Sequence, residues 1–101
     1  MKISEVNIIL IKPRNGLIGF ASLVINDALF LSSIGIHQKL NGNGYRLTYP
    51  TKKTGTNDMD IFHPINRETG KALEDTIFNK LNDVMNRLDN AGYDYTEFTG
   101  T

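Results

Sequence analysis

Two histidines, His37 and His63, and an acidic pair, Asp58 and Asp60, are the side chains of this 101-residue chain with the widest chemical range. A metal centre needs three or four donors converging on one point. Here the histidines stand 26 positions apart and the chain has no cysteine. The Asp58–Asp60 spacing fits no calcium loop, and the pair is expected to cap a loop. No His-Glu-x-x-His, phosphate-binding glycine motif or Gly-x-Ser-x-Gly occurs. His37 falls at a strand end, as a partly exposed polar residue. His63 lies between Phe62 and Pro64. Its imidazole is expected to bond a backbone carbonyl and lock the loop onto the following helix. These residues imply no catalytic site, metal or cofactor, and a small enzyme using His63 is the least favoured reading.

The cations carry more information. Lys39, Arg46, Lys52 and Lys53 occupy a 15-residue window without an acid, and Arg67 and Lys71 follow at i and i+4. Lysine and arginine side chains that meet phosphates supply most non-specific affinity for nucleic acid. The formal net charge is zero. Residues 1–71 nevertheless hold nine Lys and Arg against five acids, or +4, whereas residues 72–101 hold two against six, or −4. This split leaves a basic surface for a polyanion, unless the two halves neutralise each other in the fold, which is the commoner arrangement. Tyr45 and Tyr49 would stack on bases if exposed, although strand tyrosines are more often half buried. Lys80, on the helix rim with Arg87, is a second-rank candidate.

The elements that must hold these residues follow from patterning. Ile3 to Ile11 reads as a strand with Val6, Ile8 and Leu10 on one face and Ile9 and Ile11 on the other. Asn15-Gly16 is a tight turn. Leu17 to Ile25 is a second strand, with Ile18, Phe20 and Val24 alternating with Leu17, Leu23 and Ile25. After a turn at Asn26-Asp27, a third strand runs from Leu29 to about His37, interrupted at Ser32-Ser33, and Gly35 is expected to mark a bulge. Asn41 to Gly44 is a loop, and Tyr45 to Tyr49 is a short fourth strand. Tyr49 to Asn66 reads as a basic loop with ordinary turn chemistry at Thr54-Gly55-Thr56. It ends in a rigid lead, His63-Pro64-Ile65-Asn66, because proline fixes its own φ and restricts its predecessor. Asn66 is the expected N-cap of a helix over Arg67 to Ala91. Leu73, Ile77, Leu81, Val84 and Leu88 form its apolar stripe, Phe78 and Met85 widen it as core, and Gly92 stops it. The fold class is therefore α+β, a small antiparallel sheet of four to five strands followed by one long C-terminal helix. Residues 1–92 form a single domain, and residues 93–101 form a tail whose Tyr93, Tyr95 and Phe98 are available to dock.

One domain is the most that this length supports. The chain holds no apolar run of the roughly 18 residues that a membrane helix needs and no signal-peptide pattern, so a cytoplasmic protein without a membrane partner is expected. The first two strands are apolar on both faces, and one helix covers only one of them. Exposing the other would forfeit about 1.5–3 kcal/mol per large side chain and leave a patch larger than monomers carry. A homodimer with sheet-to-sheet or strand-exchanged contact is the expected cover.

Pro50-Thr51-Lys52-Lys53-Thr54 resembles the Pro-Ser-Lys-Arg-Thr segment of the SpoVG family, and Asp60-Ile61-Phe62-His63-Pro64-Ile65-Asn66 resembles its Asp-Ile-Ala-His-Pro-Ile-Asn. Phe20-Ala21-Ser22-Leu23 and the opening Met1-Lys2-Ile3-Ser4-Glu5-Val6 are similar to further pieces, in the same order, over residues 1–90. The resemblance implies a small cytoplasmic bacterial dimer that binds DNA or RNA and regulates sporulation, septation and gene expression. It places the basic segment on Lys52 and Lys53 and the helix lead on His63, Pro64 and Asn66. The chain departs from the family where arginine is frequent, at Gly35, Met59 and Gly70. With Arg46, Arg67, Lys71 and Lys39 added, these lysines make the expected nucleic-acid surface. The alternative is a protein-interaction module on the same fold, binding a protein partner through its tail or an exposed edge strand.

Overall fold

The structure, a computed structural model, describes residues 1–91. Four strands, β1 (Ile3–Arg14), β2 (Leu17–Ile25), β3 (Leu29–Gln38) and β4 (Tyr45–Thr48), form an antiparallel sheet in sequence order. A second sheet is a hairpin of β5 (Thr51–Thr54) and β6 (Asn57–Asp60), and the helix α1 spans Arg67–Ala91. The class is α+β, as the patterning implies. The expected helix stop at Gly92 and the docking of Tyr93, Tyr95 and Phe98 fall outside the described residues.

The turns follow local chemistry. Asn15 and Gly16, both at positive φ, join β1 to β2, and Asn26 and Asp27, also at positive φ, join β2 to β3. Asn and Asp tolerate this region because their short polar side chains bond locally. The second turn also receives the chain start: Asn26 N donates to Lys2 O, Lys2 N donates to Asn26 Oδ1, and Lys2 Nζ lies 3.0 Å from Asp27 Oδ2.

The core lies between one face of the four-stranded sheet and α1. Leu10, Ile18, Ala21, Leu23, Ile34 and Ile36 from the sheet meet Leu73, Ile77, Leu81 and Leu88 from the helix. The helix stripe is the expected one, with Val84, Phe78 and Met85 partly buried around it. Phe78 meets Tyr45 at a centroid distance of 6.1 Å. On β1, Leu10 is buried and Ile9 points away from the helix, as alternation dictates. On β2 the expected alternation fails: Ile18 is buried in the core whereas Phe20 lies on the other face. The register shift between Leu17 and Gly19 inserts one extra residue and resets the phase.

A second shift lies between Ala21 and Leu23, opposite Ser32 and Ser33, and Ser33 has φ 63°. The bulge is therefore at the serines and not at Gly35. Gly35 answers a different need: a Cβ there would sit 2.5 Å from Thr48 Oγ1 and 3.2 Å from His37 Nε2. β1, the long outer strand of the sheet, has register breaks between Ser4 and Asn7 and between Leu10 and Arg14, the latter around Pro13.

The face turned away from α1 carries Ile9, Phe20 and Phe30, which are 54%, 37% and 68% exposed. They line a shallow groove together with Asn7, Ser22 and Ser32. The expectation that β1 and β2 are apolar on both faces holds, and among the described residues nothing covers the outer one. No helix among the described residues is long and apolar enough to cross a membrane.

Candidate nucleic-acid interface

The segment expected to be a basic loop is a β-hairpin. Thr51 pairs with Asp60, Lys52 with Met59, Lys53 with Asp58 and Thr54 with Asn57. Gly55 and Thr56 make the two-residue turn, with Gly55 at φ 64° and Thr56 not at positive φ. This fits a II′ turn, whose first central position demands glycine. Strand propensity is low here, since Lys, Asn and Asp are poor strand formers, and that hid the hairpin from patterning. The turn and the clamp at its base decide instead. Ile61 N donates to Pro50 O at 2.9 Å, and Tyr49 meets Phe62 edge-on at 6.0 Å. All eight strand residues are exposed.

Asp58 and Asp60 therefore stand on β6 and do not cap a loop. Asp60 Oδ2 lies 2.9 Å from His63 Nδ1. The expected bond from His63 to a backbone carbonyl is replaced by this contact with a carboxylate three residues back, the stronger acceptor within reach. His63 is still the link between the hairpin and the helix lead. Pro64 follows, and Asn66 caps the helix as expected: Thr69 N donates to Asn66 Oδ1 at 2.8 Å. Gly70 N donates to Asn66 O as the first bond of the helix.

The remaining cations lie on separate parts of the fold. Arg46 is exposed on β4 opposite His37, on the face away from α1. Lys39 is exposed in the β3–β4 loop, which it helps to close by accepting from Gly42 N and donating to Gly44 O. Arg67 is the first residue of α1, and Lys71 lies one turn on, 3.4 Å from Asp75. The helix sits on the core face of the sheet, so Arg46 and the Arg67–Lys71 edge are on opposite sides of it. Lys39, Arg46, Lys52, Lys53 and Arg67 have no carboxylate at ion-pair distance among the described residues. On the helix rim, Arg87 is held 2.9 Å from Asp83, and Lys80 is half buried.

One polar cluster was not singled out from sequence. His37 Nε2 and Thr48 Oγ1 are 2.9 Å apart, in the space that Gly35 leaves open. Burial holds the His37 imidazole below the usual histidine range, and the neighbouring Arg46 charge adds to the effect. Tyr49 is half buried, and burial pushes its phenol up, with Glu74 contributing. Tyr45 and Tyr49 both pack against the core, so the half-buried reading of these residues holds over base stacking. Among the described residues, no group of three His, Cys, Asp or Glu is placed to hold a metal ion.

Comparison with known proteins bears on the same segments. The model of the family described as SpoVG matches residues 1–83. A relative from Phytoplasma australiense is 33% identical over 87 residues, covering 85% of this chain and 88% of its own length. One from Onion yellows phytoplasma (strain OY-M) is 31% identical over 86 residues, covering 84% and 85%. Another, from Alkaliphilus metalliredigens (strain QYMF), is 29% identical over 79 residues, covering 77% and 79%. All three carry the name "Putative septation protein SpoVG".

Proposed function

This chain belongs to the SpoVG family, and we propose that it is a cytoplasmic, dimeric regulator that binds DNA or RNA and acts in septation and gene expression. The observation that carries this reading is the β5–β6 hairpin, which presents Lys52 and Lys53 without an ion-pair partner among the described residues. Two exposed lysines on a clamped, two-stranded ribbon are a suitable contact for phosphates: they keep their charge free, and the ribbon lowers the cost of ordering them. Arg67 and Lys71 at the helix start and Arg46 and Lys39 around β4 extend the basic surface. The dimer would pair the outer sheet faces through Ile9, Phe20 and Phe30. A protein-interaction module on the same fold is the second reading, and it is favoured by that same apolar face.

The test is a salt titration of wild type and of the Lys52→Ala/Lys53→Ala double variant on random DNA and random RNA. Affinity should fall for all sequences nearly alike. The log-affinity versus log-salt slope should lose about 1 in magnitude per phosphate contact removed. Unchanged affinity and slope would take both lysines out of the site. Absence of wild-type binding at about 50 mM salt, where phosphate contacts are strong, would favour the protein-interaction module.

A further inference from the structure

Lys52 and Lys53 are neighbours in sequence, but successive strand residues point to opposite faces and directly paired residues share one. The register therefore divides the hairpin. One face carries Lys52, Thr54, Asn57 and Met59, and the other carries Thr51, Lys53, Asp58 and Asp60. The first has one cation, no acid, two hydrogen-bonding side chains and a thioether 58% exposed. The second has two acids against one lysine, with Asp58 directly across from Lys53. Its Asp60 is drawn to His63 of the helix lead, 2.9 Å away, so this acidic face turns towards the lead and the other turns out.

We propose that the hairpin docks by the Lys52–Thr54–Asn57–Met59 face alone, and that its ligand is the major groove of duplex DNA. The inference rests on the nucleic-acid-binding reading above and specifies its ligand and contact face. A phosphate ladder attracts the face without acids and repels the one where Asp58 and Asp60 outnumber Lys53. Two-stranded ribbons fit the B-form major groove, which is about 12 Å wide. The A-form RNA major groove is too deep and narrow for side chains to read. In this pose Lys52 reaches a groove-wall phosphate or the O6 and N7 of guanine. Thr54 and Asn57 offer donors and acceptors to base edges, and Met59 lies against sugar or a thymine methyl. Lys53 points back to solvent and the helix lead.

The experiment compares Lys52→Ala with Lys53→Ala, each removing one charge from an exposed position, on a DNA duplex, an RNA duplex and a single strand of the same sequence. Circular dichroism and melting curves check that both variants fold as wild type does. Lys52→Ala should weaken DNA-duplex binding at least about fivefold, and Lys53→Ala should weaken it clearly less than Lys52→Ala does. Asp58→Asn, on the other face, should change affinity less than twofold. Wild type should bind the DNA duplex more tightly than the RNA duplex or the single strand. Equal losses from the two lysine variants would overturn the one-faced pose while leaving the nucleic-acid reading intact. A preference for RNA or for the single strand would overturn the groove assignment. Absence of binding to all three would overturn both readings.

Discussion

His37 is the residue whose environment makes the clearest solution prediction. Its imidazole is partly buried, bonded to Thr48 Oγ1 and next to Arg46, so the neutral form is favoured in the fold. A base whose folded pKa lies below its unfolded value binds fewer protons folded than unfolded in the interval between them, and stability there rises with pH. The contribution is present above the ordinary histidine value of about 6.5 and is lost as pH falls through the lowered folded value. Melting temperature should therefore drop more steeply below about pH 6.5 in wild type than in His37→Asn, which has no charge to gain. Parallel curves for the two proteins would contradict this account. Asn66 makes a second prediction at this scale. Asn66→Ala removes the acceptor of Thr69 N and should cost about 0.5–2 kcal/mol in denaturant unfolding. The two residues differ in how far sequence reveals them. Asn66 is legible because a cap is read from its position between a proline lead and an apolar stripe. The His37–Thr48 bond joins residues on adjacent strands eleven positions apart, and it depends on a register that no local pattern specifies.

Among the elements, α1 is the most legible, because its stripe repeats over about four turns and the cap fixes its start. Gly70 is the one residue in its first turns that works against it. A Cβ there would meet only Pro64, with Cγ at 3.6 Å, an ordinary contact. Gly70→Ala should thus stabilise the protein by about 0.4–1 kcal/mol, chiefly through the unfolded chain's lost freedom. A fall in the denaturation midpoint would mean that Pro64 cannot tolerate the methyl. Strands β1 to β4 were legible to within a few residues, but the phase of β2 was not. Alternation assumes an unbroken ladder, and the extra residue at Ile18, just before Gly19, moves one side chain inward. The β5–β6 hairpin is not legible as an element: besides the low strand propensity of its residues, Met59 is its sole apolar side chain, so the hydrophobic period on which such reading depends is absent. The candidate site was consequently legible as residues but not as geometry. Lys52 and Lys53 stood out as adjacent cations, whereas their opposite orientations required the pairing with Met59 and Asp58.

For the whole molecule, the outer sheet face is the feature to be explained. Ile9, Phe20 and Phe30 remain exposed with one helix spent on the inner face. In the dimer we propose, sedimentation at micromolar concentration should give twice the mass of one chain. Phe30→Asp should reduce it to one chain while preserving the circular dichroism spectrum. A wild-type monomer would remove the packing argument, and the face would then belong to another partner. The outline of one sheet, one helix and an apolar surplus was readable from composition and period. The separation of Arg46 from Arg67 and Lys71 was not, because it depends on which side of the sheet the helix takes. The broken register of β1 sets a limit on how such an assembly grows. An incoming strand needs an unbroken row of donors and acceptors, and β1 interrupts that row between Ser4 and Asn7 and again around Pro13, which has no N–H to give. Chains that meet face to face therefore have no ready rail on this side along which to polymerise. In the proposed dimer the apolar face would be used for pairing without seeding fibres from the long edge.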